Sequence, residues 1–162
     1  MKHIISVIVE NKPGVLTRVS ALFSRRGYNI ESLAVGPTKN IELSRMTIVV
    51  DEEQEMLEQI EKQLYKLIDV IKVIDLPKEN TVNRELLLVK VEADLDKRSE
   101  IIQTVDIFRG KIVDVGEGSL TVEITGENGK LGAFIDLMSE FGIKELVRTG
   151  KVALQRGKGS IL

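Results

Sequence analysis

One short segment of the sequence has residue types that could bind a ligand: Glu10-Asn11-Lys12-Pro13-Gly14-Val15-Leu16, between an apolar run and a helical pattern. Pro13 presets the first helical turn, and Gly14 lacks the Cβ that would keep a ligand away from the free N–H groups at the helix start. Those donors and the positive end of the helix dipole favour an anion such as an amino-acid carboxylate. The Asn11 amide could offer a donor and an acceptor to the same zwitterion. Taken alone, however, such a segment is more often only a well-capped turn.

The sequence offers little material for catalysis. It contains no cysteine, and its single histidine, His3, lies near the N-terminus and is expected at the surface. Neither a Ser-His nor a Cys-His relay can be built, and a cysteine-ligated metal is excluded. Acidic residues are frequent between positions 51 and 61, at a predicted helix start. We interpret them as a solvated first turn that suits the helix dipole, rather than as a metal site.

The remaining motifs are typical of turns. Arg25-Arg26-Gly27 has the cations and the glycine preferred at a helix end, although a partner contact there stays open. Gly116-Glu117-Gly118 lacks the third glycine of a dinucleotide fingerprint, and residues 126–131 are too few for a phosphate-binding loop and lack its hydroxyl. The sequence therefore predicts no catalytic residue and no metal ligand.

The composition narrows the classes of partner. The 162 residues carry a formal net charge of −2 and a sequence pI near 5.6, so no general attraction to nucleic acid is expected. No run of about 18 apolar residues could span a bilayer, and the N-terminus lacks a signal-peptide pattern. We therefore expect a cytoplasmic protein that binds neither nucleic acid nor a membrane.

The candidate segment requires a strand before it and a helix after it, and the periodicity predicts both. In the first half of the chain, strands are predicted over residues 3–9, 29–35, 43–50 and 70–76, and helices over residues 13–27 and 52–68. The inward stripe of the first helix is predicted to contain Val15, Leu16, Val19, Leu22 and Phe23. The order βαββαβ is the split βαβ pattern, an antiparallel four-stranded sheet with both helices on one face.

The same order recurs in the second half, with strands over residues 84–93, 111–115, 119–125 and 145–155 and helices over residues 96–109 and 129–141. A polar stretch opened by Pro77 is the natural linker. We predict an α+β protein of two tandem ferredoxin-like βαββαβ domains: residues 1–76, a linker over residues 77–83, and residues 84–162. An RNA-recognition module shares this order but needs aromatic residues in its central strands, which are absent here.

The predicted sheets have apolar residues on both faces. Strands 4–9 and 86–91 show this most clearly, whereas helices on one side would leave a polar outer face. A domain of about 75 residues is also marginally stable alone. We therefore expect the second face of the sheets to be covered, and we expect the chain to self-associate.

Four segments resemble one family closely: residues 11–16, 22–33, 43–48 and 108–115 are similar to the acetolactate synthase small subunits. The likeness extends over essentially the whole chain. The Asn-x-Pro-Gly turn by itself is similar to the wider group of ACT domains, which bind amino acids. The run Arg26-Gly27-Tyr28-Asn29-Ile30-Glu31-Ser32-Leu33 is typical of a much narrower group of proteins.

The resemblance implies an N-terminal ACT domain and a C-terminal ACT-like domain, assembled as a homodimer. Valine, or another branched-chain amino acid, would bind between the N-terminal domains. In the family pattern one protomer supplies Asn11 and the backbone of Gly14, Val15 and Leu16, and the other supplies Asn29 and Ile30. The second half has no Asn-x-Pro-Gly equivalent, so a ligand site there is not expected.

The resemblance also implies a regulatory rather than a catalytic role in branched-chain amino acid biosynthesis. Such a subunit stimulates the large catalytic subunit and confers feedback inhibition by valine. Thiamine diphosphate, magnesium and FAD are expected on that partner, and no cofactor on this chain. One alternative is a free-standing ACT-domain regulator that responds to amino acids without a catalytic partner. Another is a small ferredoxin-like enzyme such as an acylphosphatase, although Lys12-Pro13-Gly14 stands where a phosphate-cradling loop with a poised arginine would be needed.

Overall fold

The first part of the chain folds as the predicted βαββαβ succession. In the computed structural model, which describes residues 1–162, its elements are β1 (Lys2–Glu10), α1 (Val15–Arg26), β2 (Ile30–Pro37), β3 (Leu43–Asp51), α2 (Gln54–Leu64) and β4 (Val70–Leu76). All strand pairs are antiparallel, and the strand order is β2-β3-β1-β4. The two outer strands, β2 and β4, are therefore the edges of the sheet.

The core of this unit lies between the helices and one face of the sheet. Alternate residues of β1 enter it, as does a stripe of each helix: Ile5, Val7 and Val9 from β1, Val15, Val19, Leu22 and Phe23 from α1, and Leu57, Ile60 and Leu64 from α2. The prediction for Leu16 is wrong, because its side chain is 45% exposed. The helix buries positions 15, 19, 22 and 23, and position 16 falls beside that stripe.

A second unit repeats the fold. Its elements are β5 (Thr81–Glu92), α3 (Arg98–Ile107), β6 (Lys111–Gly116), β7 (Ser119–Gly126), α4 (Asn128–Ser139) and β8 (Ile143–Arg148), with the strand order β6-β7-β5-β8. Its core is formed by alternate residues of β5 and β7 against α3 and α4. The fold class of two ferredoxin-like units is thus confirmed. A short 3₁₀ helix (Lys78–Asn80) precedes β5, so the last three residues of the predicted linker are already strand.

The end of the chain differs from the prediction. We expected one strand over residues 145–155, but the chain forms β8 and a separate strand β9 (Val152–Gln155). Residues 150–162, here called the return segment, belong to the first unit, together with residues 1–83. The second unit consequently ends at Thr149, and the predicted domain range 84–162 is corrected in its last 13 residues.

The return segment explains part of the two-faced apolar pattern. Ile4, Val49 and Leu76 lie on the face of the first sheet that points away from the helices, and buried Ala153 packs against them. Burying this apolar surface favours the placement of the segment, and a local sequence pattern carries no signal of such a distant contact. None of the helices has the length and apolar composition needed to cross a membrane.

The prediction for His3 is also wrong, because this side chain is buried. Strand β1 begins at Lys2, which places His3 opposite Val50 in the ladder. The Nδ1 atom of His3 lies 3.7 Å from Oδ1 of Asp75, and Nε2 of His3 has no hydrogen-bond partner. Burial raises the pKa of Asp75, and the nearby His3 lowers it by less.

This carboxylate makes stability depend on pH. Because the pKa of Asp75 is raised in the folded state, the contribution of this group to stability is most favourable below the ordinary carboxyl range and is lost as the pH rises through the raised value. The variant Asp75→Asn cannot titrate, so its melting temperature should exceed that of the wild type by a margin that grows from about pH 3.5 to about pH 7. Thermal unfolding across this range measures the margin.

The exposed Asp136→Asn on α4 is the control for this comparison and should show no such trend. A margin for Asp75→Asn that stays constant or becomes negative towards neutral pH would contradict the destabilising effect of the half-buried Asp75 charge.

Candidate functional site

The candidate segment forms a tight turn between β1 and α1. Gly14 has φ 85° and ψ −9°, and the N–H of Val15 donates to the carbonyl oxygen of Lys12 over 3.4 Å. Proline at the second position and a glycine with positive φ at the third are the features of a type II turn. Pro13 and Gly14 therefore precede the helix, which begins at Val15, and do not form its first turn as we predicted.

The helix start leaves backbone donors open. The first intrahelical bond is donated by the N–H of Arg18 to the carbonyl of Gly14 over 3.0 Å. The N–H groups of Leu16 and Thr17 come before that bond and have no backbone acceptor. Gly14 has no side chain with which to cap them. This end of α1 can therefore accept an anionic group.

Asn11 joins this turn to the loop between β2 and β3. Its backbone N–H donates to the carbonyl of Glu42 over 2.7 Å, and its Nδ2 donates to the carbonyl of Ile41 over 2.8 Å. One amide hydrogen of Asn11 is thus engaged within the chain. The other hydrogen and Oδ1 remain for a ligand, so the expected donor and acceptor are both still present.

An ion pair that the sequence did not indicate lies beside the turn. Nε of Arg18 donates to Oδ2 of buried Asp69 over 2.6 Å, and the Arg18 side chain as a whole is 47% exposed. Its Nη1 lies 3.0 Å from the place that a Cβ on Gly14 would occupy. Arg18 follows Gly14 by one helical turn, so the sequence could have placed it beside the turn. Its partner Asp69 is 51 residues away, and no sequence pattern indicated their contact. The pair holds the Arg18 guanidinium, which is already bonded to a carboxylate, beside Gly14.

The structure does not bring Asn29 and Ile30 to this turn. Asn11 follows Glu10, which is opposite Leu43 in the ladder, whereas Ile30 is opposite Val50. Seven residues of β3 separate these positions, or about 24 Å of strand. Asn29 is exposed, and Ile30 is half-buried against the core. One chain therefore carries the six predicted site residues in two groups at opposite ends of one sheet.

The other motifs have structural roles. Gly27 ends α1 with φ 71°, and its N–H and that of Tyr28 bond to carbonyls of the last turn. Gly118 provides the positive φ in the β6–β7 hairpin. No group of three or more His, Asp or Glu side chains is arranged to hold a metal ion.

Comparison with known proteins first defines the class of domain to which the first unit belongs. Residues 5–72 match the family model described as the AHAS small subunit-like ACT domain. The first unit is thus an ACT domain. The N-terminus of α1, with its open N–H groups, directly follows the turn after the first strand. Residues 84–157, which span the second unit and the beginning of the return segment, match the family model described as the small subunit of acetolactate synthase.

Relatives over the full length specify the family. A probable acetolactate synthase small subunit of Archaeoglobus fulgidus is 57% identical over 157 residues, which cover 97% of this chain and 98% of the relative. The small subunit of Mycobacterium bovis is 55% identical over 159 residues, covering 98% and 95%. The crystal structure of the small subunit from Thermotoga maritima superimposes with a TM-score of 0.92 at 46% identity, covering 98% of this chain and 99% of that one. The chain belongs to the acetolactate synthase small-subunit family.

Membership of this family has a direct consequence for partners. These proteins are the regulatory small subunits of a larger enzyme, which implies a catalytic large subunit. The resemblance stated from the sequence is therefore confirmed.

The conformation of Gly14 can be tested through stability. An L-residue in the left-handed region costs about 1–2 kcal/mol, so Gly14→Ala should lower the free energy of unfolding by that amount. Gly118→Ala, with φ 73° and no atom near its Cβ position, is the matched control and should lose a similar amount. Gly14→Ala should lose at least as much, because its Cβ would also lie 3.0 Å from Nη1 of Arg18. Denaturant titration measures both, and a wild-type value for Gly14→Ala alone would disprove the left-handed turn.

Proposed function

We propose that the chain binds valine, or another branched-chain amino acid, between two copies of its first unit and thereby confers feedback inhibition on the catalytic large subunit, which it also stimulates. The observation that carries this proposal is the division of the site residues. Asn11 and Gly14 lie at one end of the sheet, and Asn29 and Ile30 lie at the other. A ligand that contacts both groups needs two chains.

The free edge of β2 offers a geometry for such a dimer. Strand β2 pairs only with β3 in its sheet, so its second edge can accept a copy of itself. Antiparallel pairing about a twofold axis brings the Ile30 end of one β2 to the Pro37 end of the other. Pro37 is opposite Ser44, next to the end of β1 that leads to Asn11. The two groups of residues would meet in this arrangement.

The chemistry of the two groups suits a zwitterion with an apolar side chain. The N–H groups at the start of α1 and the Arg18 guanidinium favour the carboxylate. Amide oxygens of Asn11 and of Asn29 from the second copy can accept from the ammonium group. Leu16, Val35 and Ile41 are exposed apolar residues near this end, and Ile30 of the second copy would add a branched chain. An isopropyl group is the natural complement.

The same proposal assigns no catalytic step and no cofactor to this chain. Thiamine diphosphate, magnesium and FAD belong to the large subunit, and the complex works in the cytoplasm. Regulation then depends on a difference in valine affinity between the active and the inhibited complex, since only such a difference can shift their populations.

The variant Asn11→Ala tests the ligand site. It removes a hydrogen-bond partner from the zwitterion and should weaken valine binding to the isolated protein by about 1–3 kcal/mol. Titration calorimetry without the large subunit measures this. The exposed Asn128→Ala in the second unit is the control and should bind valine like the wild type.

The regulatory part of the proposal is tested with the reconstituted complex. Asn11→Ala should still stimulate the large subunit and should require much more valine for inhibition. Unchanged inhibition would remove Asn11 from the site, and a wild-type protein that binds no branched-chain amino acid would refute the proposed function.

A further inference from the structure

Strand β2 contains a bulge at the end that carries Ile30. Its register against β3 shifts between Ile30 and Ser32, which leaves Glu31 as an extra residue in the ladder. Such a bulge interrupts the hydrogen bonds of the strand locally. Because β2 is also an edge strand, the positions of Asn29 and Ile30 depend on contacts other than the ladder.

The return segment supplies such contacts directly after the bulge. The backbone N–H of Lys151 donates to Oγ of Ser32 over 3.0 Å. A Cβ on Gly150 would lie 2.4 Å from the carbonyl oxygen of Leu33 and 3.0 Å from the backbone nitrogen of Ala34. Gly150 does not have a positive φ, so glycine is required there by the close contact and not by the backbone torsion.

The segment is itself anchored to the middle of the sheet. Nη2 of Arg45 on β3 donates to the carbonyl of Ala153 over 2.9 Å. The Ala153 carbonyl is thus an acceptor for the Arg45 guanidinium. Burial lowers the pKa of this guanidinium. Ala153 is also buried against Ile4 of β1 and Val49 of β3. The return segment thus connects the edge strand to the two inner strands from the face without helices.

We propose that Gly150, Lys151 and Ser32 are positioning residues for the amino-acid site, because they hold β2 just beyond its bulge and so fix where Asn29 and Ile30 meet the ligand. This inference rests on the proposed function. Gly150 directly follows Thr149, the last residue of the second unit.

Two variants of the full-length protein test the positioning role by valine calorimetry. Ser32→Ala removes the acceptor for Lys151 and should raise the valine Kd about two- to tenfold. Ser32→Thr keeps the hydroxyl and should restore the wild-type Kd. Gly150→Ala forces the segment off β2 and should raise the Kd at least as much, whereas Gly132→Ala, with no atom near its Cβ position, should not change it.

Amide hydrogen exchange gives a second readout. Exchange over residues 30–34 should accelerate in Ser32→Ala and Gly150→Ala more than exchange over β1, which a general loss of stability would not produce. If Asn11→Ala loses valine while Ser32→Ala and Gly150→Ala bind it like the wild type, the positioning role is wrong and the proposed function stands. If Ser32→Thr loses as much affinity as Ser32→Ala, the positioning role is also wrong. A wild type that binds no valine overturns both proposals.

Discussion

The uninterrupted pairing of β1 with β3 is the constraint on which the candidate site depends. Nine consecutive residue pairs, from Lys2 opposite Asp51 to Glu10 opposite Leu43, join these central strands without a bulge. This ladder keeps the turn with Asn11 and Gly14 at one end of the sheet and the start of β2 at the other. No local rearrangement within a chain can close a gap of about 24 Å, because the ladder would have to break. A shared site therefore requires a second copy.

The elements at the two ends are held in place by different contacts. The turn before α1 is fixed by the left-handed Gly14, by the bonds of Asn11 to the β2–β3 loop and by the Arg18–Asp69 pair. The start of β2 lies beyond a bulge on an edge strand. In the proposed dimer, the turn of one copy meets the start of β2 of the other, and a ligand that contacts both can link its affinity to the contacts that position β2.

Local signals in the sequence were sufficient for most of the fold, and they pointed to half of the candidate site. Apolar periodicity predicted both βαββαβ units, and turn chemistry singled out Asn11 and Gly14. Contacts between distant residues leave no such periodicity, so the burial of His3, the partner of Arg18 and the return of residues 150–162 to the first unit were missed. Leu16 was assigned to the core because residues 15 and 16 both suit an apolar stripe, and only packing distinguishes them. Asn29 and Ile30 were identified by family resemblance.

Complementation between two deficient variants tests the shared site most directly. Asn11→Ala and Asn29→Ala homodimers should each bind valine about 1–3 kcal/mol more weakly than the wild type, but a mixture that has exchanged subunits contains heterodimers in which one site keeps both asparagines. About a quarter of the sites should then bind valine with wild-type affinity. Mixing Asn11→Ala with Gly14→Ala, which both alter the same half-site, should restore none. If no sites of wild-type affinity appear in the first mixture although native mass spectrometry shows heterodimers, the site is not shared between two copies.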